Sequence, residues 1–293
     1  MEVKETLDKN FTQDKNNRST VGLAFQLFLL IVLVLFGLVG VFQVKGVKTT
    51  IDQKVAEAKE AGRPADLSIT IISDKTCLEC SSLVSYVNFI KSKNAQVNQE
   101  VNLDKAENQA QQLIQQYQIK KLPAMIITGE LAKDAELAKA WPLWGTTQDE
   151  TFVLTNTPAP YLVLASNKVA GLAVITYLTD KNCAECYDVS LHKNILVKSY
   201  GVKLVEERTT DIADQEGRDL IKQYNITKVP TFLTNNELSA YQSLLAVWNT
   251  VGSIEADGNY VFRAVEQMGN YYDLTKEESV KAGTQTNTNQ GGQ

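Results

Sequence analysis

Ser73-Asp-Lys-Thr-Cys77-Leu-Glu-Cys80 returns 106 residues later as Thr179-Asp-Lys-Asn-Cys183-Ala-Glu-Cys186. Further along, Gln116, Tyr117, Ile119, Lys121, Pro123, Glu130 and Leu131 reappear 107 positions on as Gln223, Tyr224, Ile226, Lys228, Pro230, Glu237 and Leu238. A near-constant offset over so many positions is the signature of an internal repeat. Trp144 against Trp248, and Phe152-Val-Leu against Tyr260-Val-Phe, extend it. The chain therefore carries one module twice, over residues 67–165 and 166–274.

Each copy opens on a short apolar run, Leu67 to Ile72 or Leu172 to Leu178, which reads as a buried strand. The CxxC follows at once, and then a helical stretch, Ser81 to Lys93 or Tyr187 to Ser199. A second strand is expected over Val97 to Leu103 or Val202 to Arg208, and an amphipathic helix over Ala106 to Tyr117 or Ala213 to Tyr224. After Leu122-Pro123 or Val229-Pro230 comes another apolar run, Ala124 to Thr128 or Thr231 to Thr234. This alternation predicts an α/β fold, a mixed sheet covered by helices.

These residues carry a resemblance to the thioredoxin superfamily: a strand, CxxC at the start of a helix, then a hydrophobic-Pro pair before a strand. The resemblance covers Leu67 to Leu274 and is similar to the tandem arrangement of two-domain disulfide oxidoreductases. It implies a cis proline beside each CxxC, at Pro123 and Pro230. Neither motif is preceded by the tryptophan of thioredoxin, and neither dipeptide is Gly-Pro or Pro-His.

Thiol–disulfide exchange needs one sulfur that attacks as thiolate and a second that resolves the mixed disulfide. At a helix N-terminus the first cysteine of each motif would gain thiolate character from the helix dipole. Cys77 and Cys183 are the expected nucleophiles, Cys80 and Cys186 the resolving thiols. Glu79 and Glu185 oppose thiolate formation, which favours a more reducing couple. The backbone before each proline, at Leu122 and Val229, is expected to pair with an extended substrate segment, making Leu122, Pro123, Val229 and Pro230 the substrate-binding set. Two other readings of the four cysteines stand beside this one: structural disulfides, and a zinc site assembled from both CxxC pairs. The expectation adopted is catalysis without metal or bound cofactor.

Composition narrows the choices further. With 293 residues, 44% of them hydrophobic, there is apolar material for two cores. Twenty-nine basic against 34 acidic residues, a formal charge of −5, provide no broad footprint for nucleic acid. The one histidine, His192, cannot build a multi-histidine metal site, and a solvent-facing helix position is expected for it. Trp141, Trp144 and Trp248 are read as packing residues.

Residues 1–20 form a polar tail. No charge occurs from Ser19 to Val44, and Val21 to Phe42 is apolar apart from Gln26 and glycines. At about 1.5 Å per residue that run reaches about 33 Å, against a hydrocarbon core of about 30 Å. A membrane span over residues 21–44 is expected, followed by a spacer, 45–66, with the soluble domains outside the cytoplasm. Residues 275–293, rich in Thr, Asn, Gln and Gly, are expected to be disordered. The expected activity is exchange on protein or peptide thiols and disulfides, with a separate redox partner. The rival is a tethered binding or scaffold protein that keeps the fold, with structural disulfides and no turnover.

Overall fold

The computed structural model describes residues 25–35, 48 and 50–282. The chain divides into two compact units, Met1–Arg63 and Pro64–Gln293. In the first, residues 25–35 and 50–62 are helical. Among the described residues no helix is long and apolar enough to cross a membrane. Most of the span expected over residues 21–44 lies outside the described residues, as does the 1–20 tail.

The second unit holds both copies. In the first copy β1 (Ala65–Ser73) runs parallel to β2 (Ala95–Asp104) and antiparallel to β4 (Ala124–Gly129), and β6 (Thr151–Leu154) and β5 (Gly145–Gln148) complete a sheet of order β2-β1-β4-β6-β5. The parallel pair requires a crossover, which α1 (Val84–Lys91) supplies. α2 (Asn108–Gln116) and α3 (Ala135–Trp144) follow. Alternation along β1 sends Leu67 and Ile69 into one cluster with Leu83, Val87, Ile90, Leu137 and Trp141, so α1 and α3 share that face. Ile72 belongs to a second cluster with Leu103, Ala110, Leu122 and Leu162 on the α2 face.

The second copy repeats this with β9 (Leu172–Thr179), β10 (Lys203–Asp211), β12 (Thr231–Thr234), β13 (Gly252–Ile254) and β14 (Tyr260–Phe262), in the order β10-β9-β12-β14-β13. Its helices are α4 (Leu191–Asn194), which runs on into a π-helical turn over Ile195–Ser199, α5 (Gln215–Tyr224) and α6 (Gln242–Val251). This mixed α/β architecture, present twice, is compatible with two tandem thioredoxin-like domains.

Gly145 and Gly252 end α3 and α6, where a Cβ would strike the Val153 or the Val261 carbonyl. Aligning the two helices on these glycines pairs Trp141 with Trp248, both buried with indole N–H bonded to a carbonyl (Leu131 O, 2.8 Å; Ser253 O, 3.0 Å). The counterpart of Trp248 is therefore Trp141 and not Trp144, whose position is held by Val251.

Each copy also has a second, three-stranded sheet. β3 (Lys121–Leu122) pairs with β7 (Tyr161–Val163), and β7 with β8 (Lys168–Ala170). β11 (Lys228–Val229) pairs in the same way with β15 (Tyr271–Asp273), and β15 with β16 (Glu278–Val280). The division at 165/166 falls in the turn of the first hairpin, whose second strand completes the first copy's small sheet. In the expected disordered tail, residues 278–280 are a strand. Asp273 Oδ1 accepts from both Thr275 N (3.0 Å) and Thr275 Oγ1 (2.6 Å), turning the chain back so that β16 pairs with β15. Residues 283–293 lie outside the described residues.

Candidate functional site

Each CxxC sits at the C-terminal end of the first strand of its copy, and each is closed as a disulfide, Cys77–Cys80 and Cys183–Cys186, with Cα atoms 5.4 Å apart in both. Neither lies on a helix. α1 begins at Val84 and α4 at Leu191, several residues beyond the second cysteine, which corrects the expected helical starts at Ser81 and Tyr187. The cause lies in the small sheets. Ser81 donates its N–H to Pro160 O (2.7 Å) and its hydroxyl to Ala159 O (2.6 Å), immediately before β7. Tyr187 N–H goes likewise to Asn270 O (2.8 Å), immediately before β15. These amides are drawn to a distant carbonyl, and the helices begin later. The dipole contribution expected at Cys77 and Cys183 is correspondingly weaker, since it fades beyond the terminal turn.

Two aspartates outside the expected site residues shape the approach to the motifs. Asp104 Oδ2 accepts from Lys75 N (2.9 Å) and Asp211 Oδ2 from Lys181 N (2.7 Å), while their Oδ1 atoms accept from Ala106 N (3.0 Å) and Ala213 N (2.9 Å). Their recurrence at the repeat offset, each followed by x-Ala, was the available signal. Within the first turn, Asp74 accepts from Thr76 N (2.8 Å) and Thr76 Oγ1 (2.6 Å) and pairs with Lys105 Nζ at 2.8 Å. The Lys105 bond, with those from Thr76, holds the Asp74 carboxyl down at about 2. In the second copy Ile212 stands where the first has Lys105.

The dipeptide glutamates are not isolated charges. Glu79 Oε2 meets Lys203 Nζ from β10 at 2.9 Å, and Glu185 Oε2 meets Lys281 Nζ, just past β16, at 3.4 Å. These lysines offset the carboxylates that the sequence places beside the sulfurs. Both pairs are exposed, so each contributes well under about 1 kcal/mol to stability.

The peptide bonds Leu122–Pro123 and Val229–Pro230 are cis, and all four residues are buried. The structure brings each beside its motif. Cys186 Sγ lies 3.9 Å from Val229 O, and Cys80 packs on the cluster that contains Leu122. The backbones of Leu122 and Val229 do not present a free edge. Leu164 N–H bonds Lys120 O (3.0 Å) and Leu274 N–H bonds Thr227 O (2.9 Å). In an antiparallel ladder the bonded pairs recur at every second residue, which makes Leu122 with Leu162 and Val229 with Tyr272 bonded pairs. The chain's own hairpins make the pairing that the sequence reserved for a substrate. β16 also reaches the sulfur, with Ser279 Oγ 3.9 Å from Cys183 Sγ.

His192 is only 3% exposed, contrary to the solvent-facing position expected of it. Its ring packs against Phe232 and Phe262 at centroid distances of 4.6 and 4.4 Å, and its Nε2 is 3.0 Å from Tyr187 Oη. Tyr187 donates its one hydroxyl proton to Pro230 O at 2.8 Å, so the histidine must carry its proton on Nε2 and donate to Oη. Burial raises the Tyr187 pKa and depresses that of His192 to about 4. The unfolded chain then binds a proton at its ordinary 6.5, and the folded chain binds it only near 4. Stability is unaffected by this group above pH 6.5 and falls as pH drops from 6.5 to 4, by about 3 kcal/mol at most. In urea denaturation at pH 7 and pH 4, wild type should lose about that much more than His192→Phe. An equal loss in both would remove His192 as the cause.

No protein-family model matches the chain, and no curated protein does. Among solved structures it is similar to the N/C domain of the alkylhydroperoxide reductase AhpF from Enterococcus faecalis, at 13% identity and a TM-score of 0.20, with 64% of this chain and 89% of that one covered. It is similar also to human ERp44, at 11% identity and a TM-score of 0.18, with 65% and 89% covered. Among the described residues no cluster of three or more His, Cys, Asp or Glu side chains is arranged to hold a metal ion.

Proposed function

We propose that the chain is a membrane-anchored thiol–disulfide oxidoreductase with two CxxC sites, acting outside the cytoplasm on protein or peptide thiols and disulfides. The observation that carries the reading is the repeated constellation: a disulfide at the end of the first strand, beside a cis proline, in both copies. Such a bond closes a very small loop and contributes little as a structural brace. The apolar run from Val21 to Phe42 supports the anchor.

Acting as a reductant, Cys77 attacks one sulfur of a substrate disulfide as thiolate, and the other substrate sulfur leaves as thiolate. Cys80 then attacks Cys77 Sγ, expelling the first substrate sulfur and closing Cys77–Cys80. Two electrons have passed to the substrate. A partner dithiol or glutathione reopens the bond, and the reverse sequence oxidises a substrate. Cys183 and Cys186 repeat these roles. Leu122-Pro123 and Val229-Pro230 receive the peptide once the covering hairpin, β7-β8 or β15-β16, opens from its outer strand inward.

The test is turnover of a disulfide-containing peptide by the full chain, with glutathione as electron donor. Sustained turnover supports an enzyme. Peptide binding with no turnover over the uncatalysed rate would replace it with the scaffold reading.

A further inference from the structure

The two copies differ behind their disulfides, and the difference leaves a cavity. In the first copy the Trp144 ring fills the space between α1 and α3, with centroids 4.8 Å from Tyr86, 5.3 Å from Phe89 and 5.7 Å from Trp141, each edge-on. At the CxxC offset of 106, Tyr86 and Phe89 answer to His192 and Ile195. At the helix offset of 107 fixed by Gly145 and Gly252, Trp141 and Trp144 answer to Trp248 and Val251. Those four residues of the second copy all line one cavity of about 190 Å³, together with Phe232 and Met268. Where the first copy has an indole the second has an isopropyl group, and the space remains.

We infer that this cavity is a binding site for a small, uncharged aromatic molecule of indole size, seated where the sister copy seats its own Trp144. Its size suits one or two fused rings, since an apolar cavity of about 150 Å³ takes benzene. No Asp, Glu, Lys or Arg lines it, and its polar lining beside His192 is the neutral Tyr200 and Gln267, so a charged ligand would lose its hydration without a countercharge. The wall is aromatic on several sides, matching the edge-on packing that Trp144 finds in the first copy. Ile195 and Val247, 40% and 37% exposed, mark the way in. The wall at Ile195 belongs to the π-helical turn, a local irregularity that recurs at binding sites and that α1 lacks. The site stands independently of the redox reading.

The test is a ¹⁹F NMR titration of the full chain, held in lipid nanodiscs, with 5-fluoroindole as probe. Wild type should show one protein-bound resonance, saturating at one equivalent over the lipid-partitioned signal. Val251→Trp should abolish that resonance by supplying the missing ring, while Trp144→Val should add a second bound site in the first copy. Absence of a bound resonance in wild type, or a resonance that Val251→Trp leaves unchanged, would overturn the assignment. The Val251→Trp result decides the question even if Trp144→Val does not fold, because the sister helix already carries tryptophan at that place.

Discussion

Replacing Cys77 and Cys183 together by serine should reduce peptide-disulfide exchange to the uncatalysed rate while leaving the fold intact. A hydroxyl at either position cannot ionise at neutral pH, so no attacking anion remains. Each single variant should retain the activity of the other site, because each copy holds its own pair within its own loop. Removal of either disulfide should cost little stability, since each closes a loop of a few residues and the surrounding turns are held by Asp104 and Asp211. Thermal melting of the variants beside wild type checks that second half. Activity in the double serine variant equal to wild type would mean that the cysteines do not carry the reaction.

Truncation after Thr275 should make the Cys183–Cys186 disulfide more reactive toward peptide thiols, by about tenfold, with no change at Cys77–Cys80. The segment removed includes β16, whose Ser279 stands 3.9 Å from Cys183 Sγ, and Lys281, the partner of Glu185. Residues that pack into the core below, Tyr272 and Leu274, stay in place. If access to the sulfur requires β16 to peel away, deleting it removes that opening step, and about 1.4 kcal/mol of opening free energy corresponds to about tenfold in rate. Loss of Lys281 acts in the other direction on thiolate stability at Cys183, by leaving the Glu185 charge uncompensated, but it is an exposed pair and a smaller effect. The first copy serves as internal control because β8 is untouched. Alkylation-quenched reduction by a peptide thiol, read at each disulfide by mass spectrometry, gives both rates in one sample. Equal rates in truncated and intact chains would show that β16 does not guard the sulfur.

The repeat and the order of strands and helices were legible because they are written in local patterns: an apolar run, then CxxC, then Pro at a fixed distance. The elements that cover the sites were not. β7 and β15 are three residues each, and Tyr271-Tyr-Asp ahead of a polar tail carries no hydrophobic alternation to mark a strand. They exist through pairing with Leu122 and Val229, some 40 residues away in sequence. The same non-local cause delays the helices, since the carbonyls of Pro160 and Asn270 that take the Ser81 and Tyr187 amides are about 80 residues distant. The repeat does not reveal that His192 faces inward, because the first copy has tyrosine, Tyr86, at that position. Residue identity pairs Trp144 with Trp248, whereas the glycines that end the two helices set the register. That register, in turn, is what exposes the unfilled space in the second copy.

The most direct measurement is a thiol-trapping titration of the full chain across glutathione buffers of graded ratio, with each CxxC read separately by mass spectrometry. Both pairs should titrate reversibly between about −120 and −270 mV, the range spanned by known exchange proteins. Pairs that stay oxidised well below about −300 mV would be structural disulfides, and the account of two exchange sites would be contradicted.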